Sequence, residues 1–85
     1  SVTMKKMWKR ALAALILDEA CREGILCHNH PKGTAAFSDA DLDATRSVRA
    51  GLGVLGVVLS DHLLVAGREV ISMKKLGLMK FTETP

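Results

Sequence analysis

Two histidines and an aspartate near the middle of the chain have the spacing of a divalent-metal site. His28 and His30 are two residues apart, and Asp41 follows eleven residues after His30. On a strand, residues two apart point to the same face with Cα atoms about 6.5 to 7 Å apart, so two imidazoles can converge on one ion. Catalytic zinc sites usually combine three protein ligands with a water molecule. The sequence therefore predicts His28, His30 and Asp41 as metal ligands and Zn2+ as the cofactor.

Ser38, three residues before Asp41, has two interpretations. A serine followed three residues later by an acidic residue resembles a capping box at the start of a helix. In that role Ser38 would satisfy an unpaired backbone amide, and Asp41 would favour the positive end of the helix without any metal. A capped helix end would also hold Asp41 rigid as a ligand, so the two interpretations are compatible.

Strand and helix patterns position these residues where a strand ends and a helix begins. The apolar run from Ile25 to His30 is bounded by Gly24 and Pro31, which predicts a buried strand that ends in a loop. A helical pattern begins at Ser38 and ends in a glycine-rich stretch. The β-branched residues that follow, up to position 72, predict two strands joined by a tight turn.

An amphipathic helix is predicted upstream, over residues 4–22. This segment lacks glycine and proline, and its apolar residues recur at helical spacing. Its basic residues lie at the N-terminal end and its acidic residues at the C-terminal end, opposite to the preference of the helix dipole, so packing must hold it. The order helix, strand, helix, strand, strand predicts an α/β fold with a small mixed sheet and flanking helices. Open sheet edges predict that a second copy or a further chain completes the sheet.

Composition restricts the class of protein. The 85 residues, 48% hydrophobic and 25% charged, predict one folded domain over 1–85 with a loosely ordered tail at 73–85. Cys21 and Cys27 do not form a CxxC pair, which indicates a reduced, cytoplasmic setting. The apolar run at 11–17 is too short to span a bilayer, so we expect no membrane association. A net charge of +3 spread over both ends predicts at most weak contact with nucleic acid.

Three stretches of sequence resemble a known family. They are ILCHNHPKG from Ile25, SDAD from Ser38 and LSDHLLV from Leu59. Together they resemble the RadC-like branch of the JAMM (JAB/MPN) metalloprotease-like domains, over about residues 10 to 80. The pattern HxH, seven residues, SxxD is the signature of the JAMM class, and HNHP with a later DH is more particular to RadC-like proteins.

The resemblance implies a fold, a site and an activity. The fold is JAB/MPN-like, with the layering also found in cytidine deaminases. His28, His30 and Asp41 match the zinc ligands, and Ser38 matches the serine that steadies the tetrahedral oxyanion. The implied activity is hydrolysis of a peptide or isopeptide substrate by a metal-activated water. The family's general-base glutamate lies on a strand upstream of the first helix, which predicts that this domain is N-terminally incomplete and catalytically impaired in isolation.

Other functions and residues stay open. A metal-dependent role in nucleic-acid processing is suggested by the family's association with DNA repair, and a non-catalytic metal-binding interaction module is the third hypothesis. His62, beside Asp61, has either a structural role near the metal or a role as a direct ligand. Cys27 is interpreted as a small buried apolar residue. Glu19 and Glu23 are interpreted as exposed charges on the first helix rather than as catalytic groups.

Overall fold

The computed structural model describes residues 2–6, 13–30 and 35–80. Within these ranges the chain forms five strands and one helix. They are β1 (Val2–Lys6), β2 (Ala13–Asp18), β3 (Glu23–Asn29), α1 (Asp39–Val54), β4 (Val58–Ala66) and β5 (Glu69–Ser72). The strands form one sheet in sequential order. Only β3 and β4 pair in parallel among these strands, so the prediction of a small mixed sheet in an α/β fold is confirmed.

Helix α1 connects the two parallel strands and covers one face of the sheet. The core on this face contains Leu15, Leu26, Leu52 and Leu59, which come from β2, β3, α1 and β4. A Cβ atom at Gly24 would lie 3.1 Å from the side chain of Leu17 and 3.5 Å from that of Leu52. A glycine at this position therefore lets the C-terminal part of the helix pack closely against the sheet.

The predicted helix over residues 4–22 was wrong. The described part of this segment contains β1 and β2, which pair antiparallel, and a turn over residues 19–22. Strand β2 also pairs with β3, so its backbone groups are satisfied on both sides. The unbroken apolar run of β2 is compatible with a strand as well as a helix, and the reversed charges remove the advantage of the helix. Residues 7–12, which include the predicted core residue Trp8, lie outside the described residues.

A series of turns follows β5. The side chain of Met73 is fully buried, and its backbone N–H donates to the carbonyl of His62 at 2.9 Å. The backbone N–H of Leu78 donates back to the carbonyl of Met73 at 3.0 Å. Residues 73–80 therefore pack on the end of the β4–β5 hairpin, and residues 81–85 lie outside the described residues. Helix α1, the one helix of the described ranges, lacks the length and apolar character needed to cross a membrane.

Candidate metal centre

The end of β3 and the first turn of α1 bring the three predicted ligands together. One ligand atom from each of His28, His30 and Asp41 lies within 4.8 Å of the others. The Nε2 atom of His28 is 3.6 Å from Oδ1 of Asp41, and the Nε2 atom of His30 is 3.5 Å from Oδ2. Each carboxylate oxygen therefore faces a different imidazole.

These separations fit a cation better than direct contacts between the side chains. At 3.5 and 3.6 Å the nitrogen and oxygen atoms are too far apart for good hydrogen bonds. Ligand atoms in a tetrahedral zinc site, with bonds of about 2.0 to 2.1 Å, are about 3.3 to 3.4 Å apart. The Nε2 atom of His28 is also buried without a hydrogen-bond partner, which is unfavourable unless something else satisfies its lone pair. A divalent cation between the three groups would do so.

Ser38 begins helix α1, and the capping interpretation is confirmed. The Ser38 hydroxyl accepts a hydrogen bond from the backbone N–H of Asp41 at 3.1 Å. In return, Oδ2 of Asp41 accepts from the backbone N–H of Ser38 at 2.8 Å. The cap thus fixes the carboxylate of Asp41 in the orientation that faces both histidines. Ser38 Oγ accepts in this cap, so its own O–H hydrogen can still be donated to another acceptor.

The protonation states suit metal binding. Burial raises the pKa of the Asp41 carboxyl. The hydrogen bonds from Ser38, together with the electrostatic effect of the nearby histidines, outweigh burial and hold this pKa below its ordinary value. Burial lowers the pKa of His28, although the carboxylate of Asp41 opposes this shift. At neutral pH the pair is therefore a carboxylate and a neutral imidazole, which are the forms that bind metals.

A chain of buried polar groups lies behind His28. Its Nδ1 atom is 2.7 Å from Nε2 of His62, and Nδ1 of His62 is 2.6 Å from the hydroxyl of Thr45. That hydroxyl donates to the backbone carbonyl of Asp41 at 2.6 Å. The side chains of His62 and Thr45 are 2% and 0% exposed. Burial first, and the neighbouring His28 second, lower the pKa of His62 to about 4, so this imidazole is neutral at physiological pH.

An irregularity between β3 and β4 directs His62 toward this site. Gly24 pairs with Leu59 and Ile25 with Asp61, so the register skips Ser60. The extra residue reverses the alternation, and His62 then shares the buried face with Leu59. Without this bulge, a residue three positions after Leu59 would point to the opposite face of the sheet.

The comparison with protein families decides the identity of the domain. The family model described as RadC-like JAB domain matches residues 1–78. The chain belongs to the RadC-like JAB domain family. The resemblance that the HNHP and SDAD stretches carry is therefore confirmed at the level of the family.

Curated relatives of this RadC-like JAB domain are UPF0758 proteins. The chain is 51% identical to one from Bordetella petrii over 55 residues, which are 65% of the chain and 24% of that protein. It is 39% identical to one from Bordetella bronchiseptica over 77 residues, or 91% of the chain and 34% of that protein. A relative from Shewanella amazonensis is 34% identical over 77 residues, with the same coverage. The chain thus spans a quarter to a third of the length of these relatives.

The Asp61–His62 pair of the RadC-like pattern does not belong to the proposed ligand group. Asp61 does not orient the ring of His62, since its carboxylate accepts from the backbone N–H groups of His62 and Lys74 and from the Ser72 hydroxyl. It therefore fixes the β4–β5 hairpin and the following turn. Both ring nitrogens of His62 already have partners, Nδ1 of His28 and the Thr45 hydroxyl, so the described geometry does not favour direct ligation by His62.

Cys27 and the acidic residues of the first segment lie outside the site as well. Cys27 alternates with His28 along β3, and burial, with a smaller effect of Asp61, raises the pKa of its thiol. Glu19 and Glu23 are exposed, as expected, but they lie in a turn and at the start of β3 rather than on a helix. Thr45 was not predicted as a site residue. A polar residue on the apolar stripe of the helix is the signal that could have identified it.

Proposed function

We propose that this domain carries the metal centre of a zinc-dependent hydrolase that cleaves peptide or isopeptide bonds. The observation that carries the proposal is the Nε2 atom of His28, which is buried, lacks a hydrogen-bond partner and faces the carboxylate of Asp41. Membership of the RadC-like JAB family supports the same chemistry. Two imidazoles and one carboxylate are a ligand set typical of hydrolytic zinc sites, which keep a fourth position open.

The three proposed ligands and Ser38 have different roles in the proposed hydrolysis. His28, His30 and Asp41 would hold the ion, and the Ser38 cap would keep the Asp41 carboxylate in place. A zinc ion held there would supply Lewis-acid polarisation of a carbonyl and activation of water. The exposed Ser38 hydroxyl would donate its hydrogen to the oxyanion that develops on the substrate. Donors of this kind contribute about 100-fold to 1,000-fold to kcat in other enzymes.

Proton transfer needs a further group. Among the described residues the cluster consists of His28, His30 and Asp41, and none of these is free to act as a general base once it binds metal. The resemblance implies a glutamate in this role, and no residue of the chain matches it. We therefore expect the 85-residue polypeptide alone to bind metal but to hydrolyse substrates about two to four orders of magnitude more slowly than a complete site.

Metal content tests the proposed site. Protein purified without added metal should contain about one zinc ion per chain, and Asp41→Asn should lower this content sharply. The asparagine side chain can still accept the hydrogen bond from Ser38, so the cap persists while the anionic ligand is lost. Asp43→Asn is the matched control, because Asp43 is exposed on the same helix, and it should retain the metal. A wild-type protein free of metal, with the same stability in chelator, would contradict the proposal.

The class of substrate needs a separate experiment. The experiment uses a zinc-loaded polypeptide that contains this domain and has the full length of the curated relatives. It is screened against peptide, isopeptide and nucleic-acid substrates. We expect cleavage of peptide or isopeptide bonds. Cleavage of nucleic acid alone would favour the role in nucleic-acid processing, and binding of metal with no turnover would favour a non-catalytic interaction module.

A further inference from the structure

We propose that Thr45 and His62 are positioning residues that fix the tautomer of His28, so that its unprotonated Nε2 atom faces His30 and Asp41. The consequence for metal binding rests on the proposed function. The hydrogen-bond chain itself is a property of the protein without metal. The assignment follows from the number of hydrogens that each group in the chain can supply.

The first step concerns the hydroxyl of Thr45. Its oxygen is 2.6 Å from the backbone carbonyl oxygen of Asp41, a separation that requires a hydrogen between the two oxygens. A carbonyl has no hydrogen to give, so Thr45 must donate its only one. Toward Nδ1 of His62, at 2.6 Å, the same hydroxyl can then act only as an acceptor. Nδ1 of His62 therefore carries a hydrogen.

The second step concerns the other nitrogen of His62. The ring is buried between the neutral hydroxyl of Thr45 and the imidazole of His28, and the ring of Phe37 packs edge-on against it with 5.2 Å between centroids. A charged imidazolium in these surroundings would lose its hydration without direct contact to an anion. His62 is therefore neutral, with its single hydrogen on Nδ1, and its Nε2 atom is an acceptor.

The tautomer of His62 in turn fixes the tautomer of His28. Its Nδ1 atom lies 2.7 Å from the acceptor Nε2 of His62, so Nδ1 of His28 must donate. A neutral His28 then has no hydrogen on Nε2. The 3.6 Å separation between this Nε2 and Oδ1 of Asp41 agrees with the assignment, because an N–H group would approach a carboxylate to about 2.7 to 2.9 Å.

Both ends of the hydrogen-bond chain lie next to Asp41. Thr45 is bonded to the backbone of Asp41, and His28 faces the side chain of Asp41. Loss of the Thr45 hydroxyl would free His62 to place its hydrogen on Nε2, and His28 would then have to accept at Nδ1 and carry its hydrogen on Nε2. Outer partners of metal-binding histidines typically contribute about 10-fold to 100-fold to metal affinity.

The test compares Thr45→Val with the matched control Thr45→Ser. Valine keeps the size of threonine without the hydroxyl, whereas serine keeps the hydroxyl. Long-range 1H–15N NMR spectra of the metal-free proteins report the tautomer of His28, and competition with a chelating dye gives the zinc Kd. We expect the Nδ1–H tautomer in the wild type and in T45S. In T45V we expect a substantial population of the Nε2–H tautomer and a zinc Kd raised about 10-fold to 100-fold.

The outcomes separate this proposal from the proposed function. An Nε2–H tautomer of His28 in the metal-free wild type would overturn the positioning role, and this measurement needs no variant. An unchanged tautomer and unchanged zinc Kd in folded T45V would overturn it as well. Failure of the wild type to bind zinc would instead refute the metal centre, and the tautomer measurement would still decide the hydrogen-bond chain. A loss of stability in T45V alone would show that Thr45 is structural, and would contradict the positioning role.

Discussion

At the scale of single residues, burial decides the chemical form of the histidines and the aspartate around the site. His28 and His62 are both buried, and burial lowers the pKa of each imidazole. Asp41 stays ionised because the Ser38 amide and hydroxyl stabilise its charge despite burial. A neutral His28 beside an ionised Asp41 gives this pair a single negative charge, which suits a divalent cation.

The depressed pKa of His62 predicts acid sensitivity of the metal-free protein. Its pKa is about 4 when folded and about 6.5 when unfolded, so between these values the unfolded chain binds more protons. The stabilisation is fully present above pH 6.5 and is lost as the pH falls toward 4. The lost free energy of unfolding from this residue is roughly 3 kcal/mol at most.

Urea denaturation of the metal-free protein at pH 7 and pH 4.5 measures this effect. The lowered pKa values of His28 and Asp41 act in the same direction, so a variant is needed to isolate His62. His62→Gln keeps an acceptor for His28 but does not titrate, and its stability should fall less between the two pH values than that of the wild type. An equal fall in the variant and the wild type would show that His62 is not responsible.

At the scale of elements, the junction between β3 and α1 makes the site. Strand β3 contains His28 and ends just before His30, and helix α1, which begins at its cap Ser38, contains Asp41, so the end of the strand and the start of the helix position the three proposed ligands. The cap matters here because it fixes the first turn of α1, where Asp41 lies. The stability of the helix end and the geometry of the site are therefore coupled.

Replacement of Ser38 separates the cap from the metal. Ser38→Ala should lower the free energy of unfolding by about 1 kcal/mol, because a backbone amide of the first turn loses its acceptor. Zinc should remain bound, since Ser38 is not a ligand and its backbone N–H still holds Asp41. The control Ser38→Thr retains a hydroxyl and should stay close to the wild type in urea. Complete loss of zinc from S38A would argue that Ser38 itself contacts the ion.

The sequence predicted some elements correctly and others not, for physical reasons. The apolar run that begins at Ile25 lies in β3, the strand that contains His28, and Ser38 caps the helix, so this part was predictable locally. The helix predicted over residues 4–22 failed because the apolar residues of β2 fit both periods, and only pairing with β1 and β3 selects the strand.

The supporting side chains depended on contacts distant in sequence. Which face His62 occupies is set by the bulge at Ser60, and this depends on the register of β4 against β3. Thr45 reaches the ring of His62 only because α1 packs on the same face of the sheet. The clustering of His28, His30 and Asp41 could be predicted from spacing and resemblance, whereas the chain of hydrogen bonds behind them required the structure.

At the scale of the whole molecule, a parallel strand pair joined by a helix is extended by antiparallel strands at both edges. The three proposed ligands lie at one end of this unit, and the chain covers only part of the length of its RadC-like relatives. Since His28, His30 and Asp41 all belong to this domain, we expect it to bind metal without further polypeptide. Substrate binding and proton transfer are the properties that we expect to depend on additional residues.

X-ray absorption spectroscopy of the zinc-loaded protein tests whether His28, His30 and Asp41 bind the ion. We expect one zinc ion per chain with nitrogen and oxygen neighbours at about 2.0 to 2.1 Å, including the scattering pattern of two imidazoles. His28→Ala should remove one imidazole contribution or abolish binding. A spectrum with sulfur neighbours at about 2.3 Å, which Cys21 or Cys27 would supply, or a protein that binds no zinc, would contradict this ligand set.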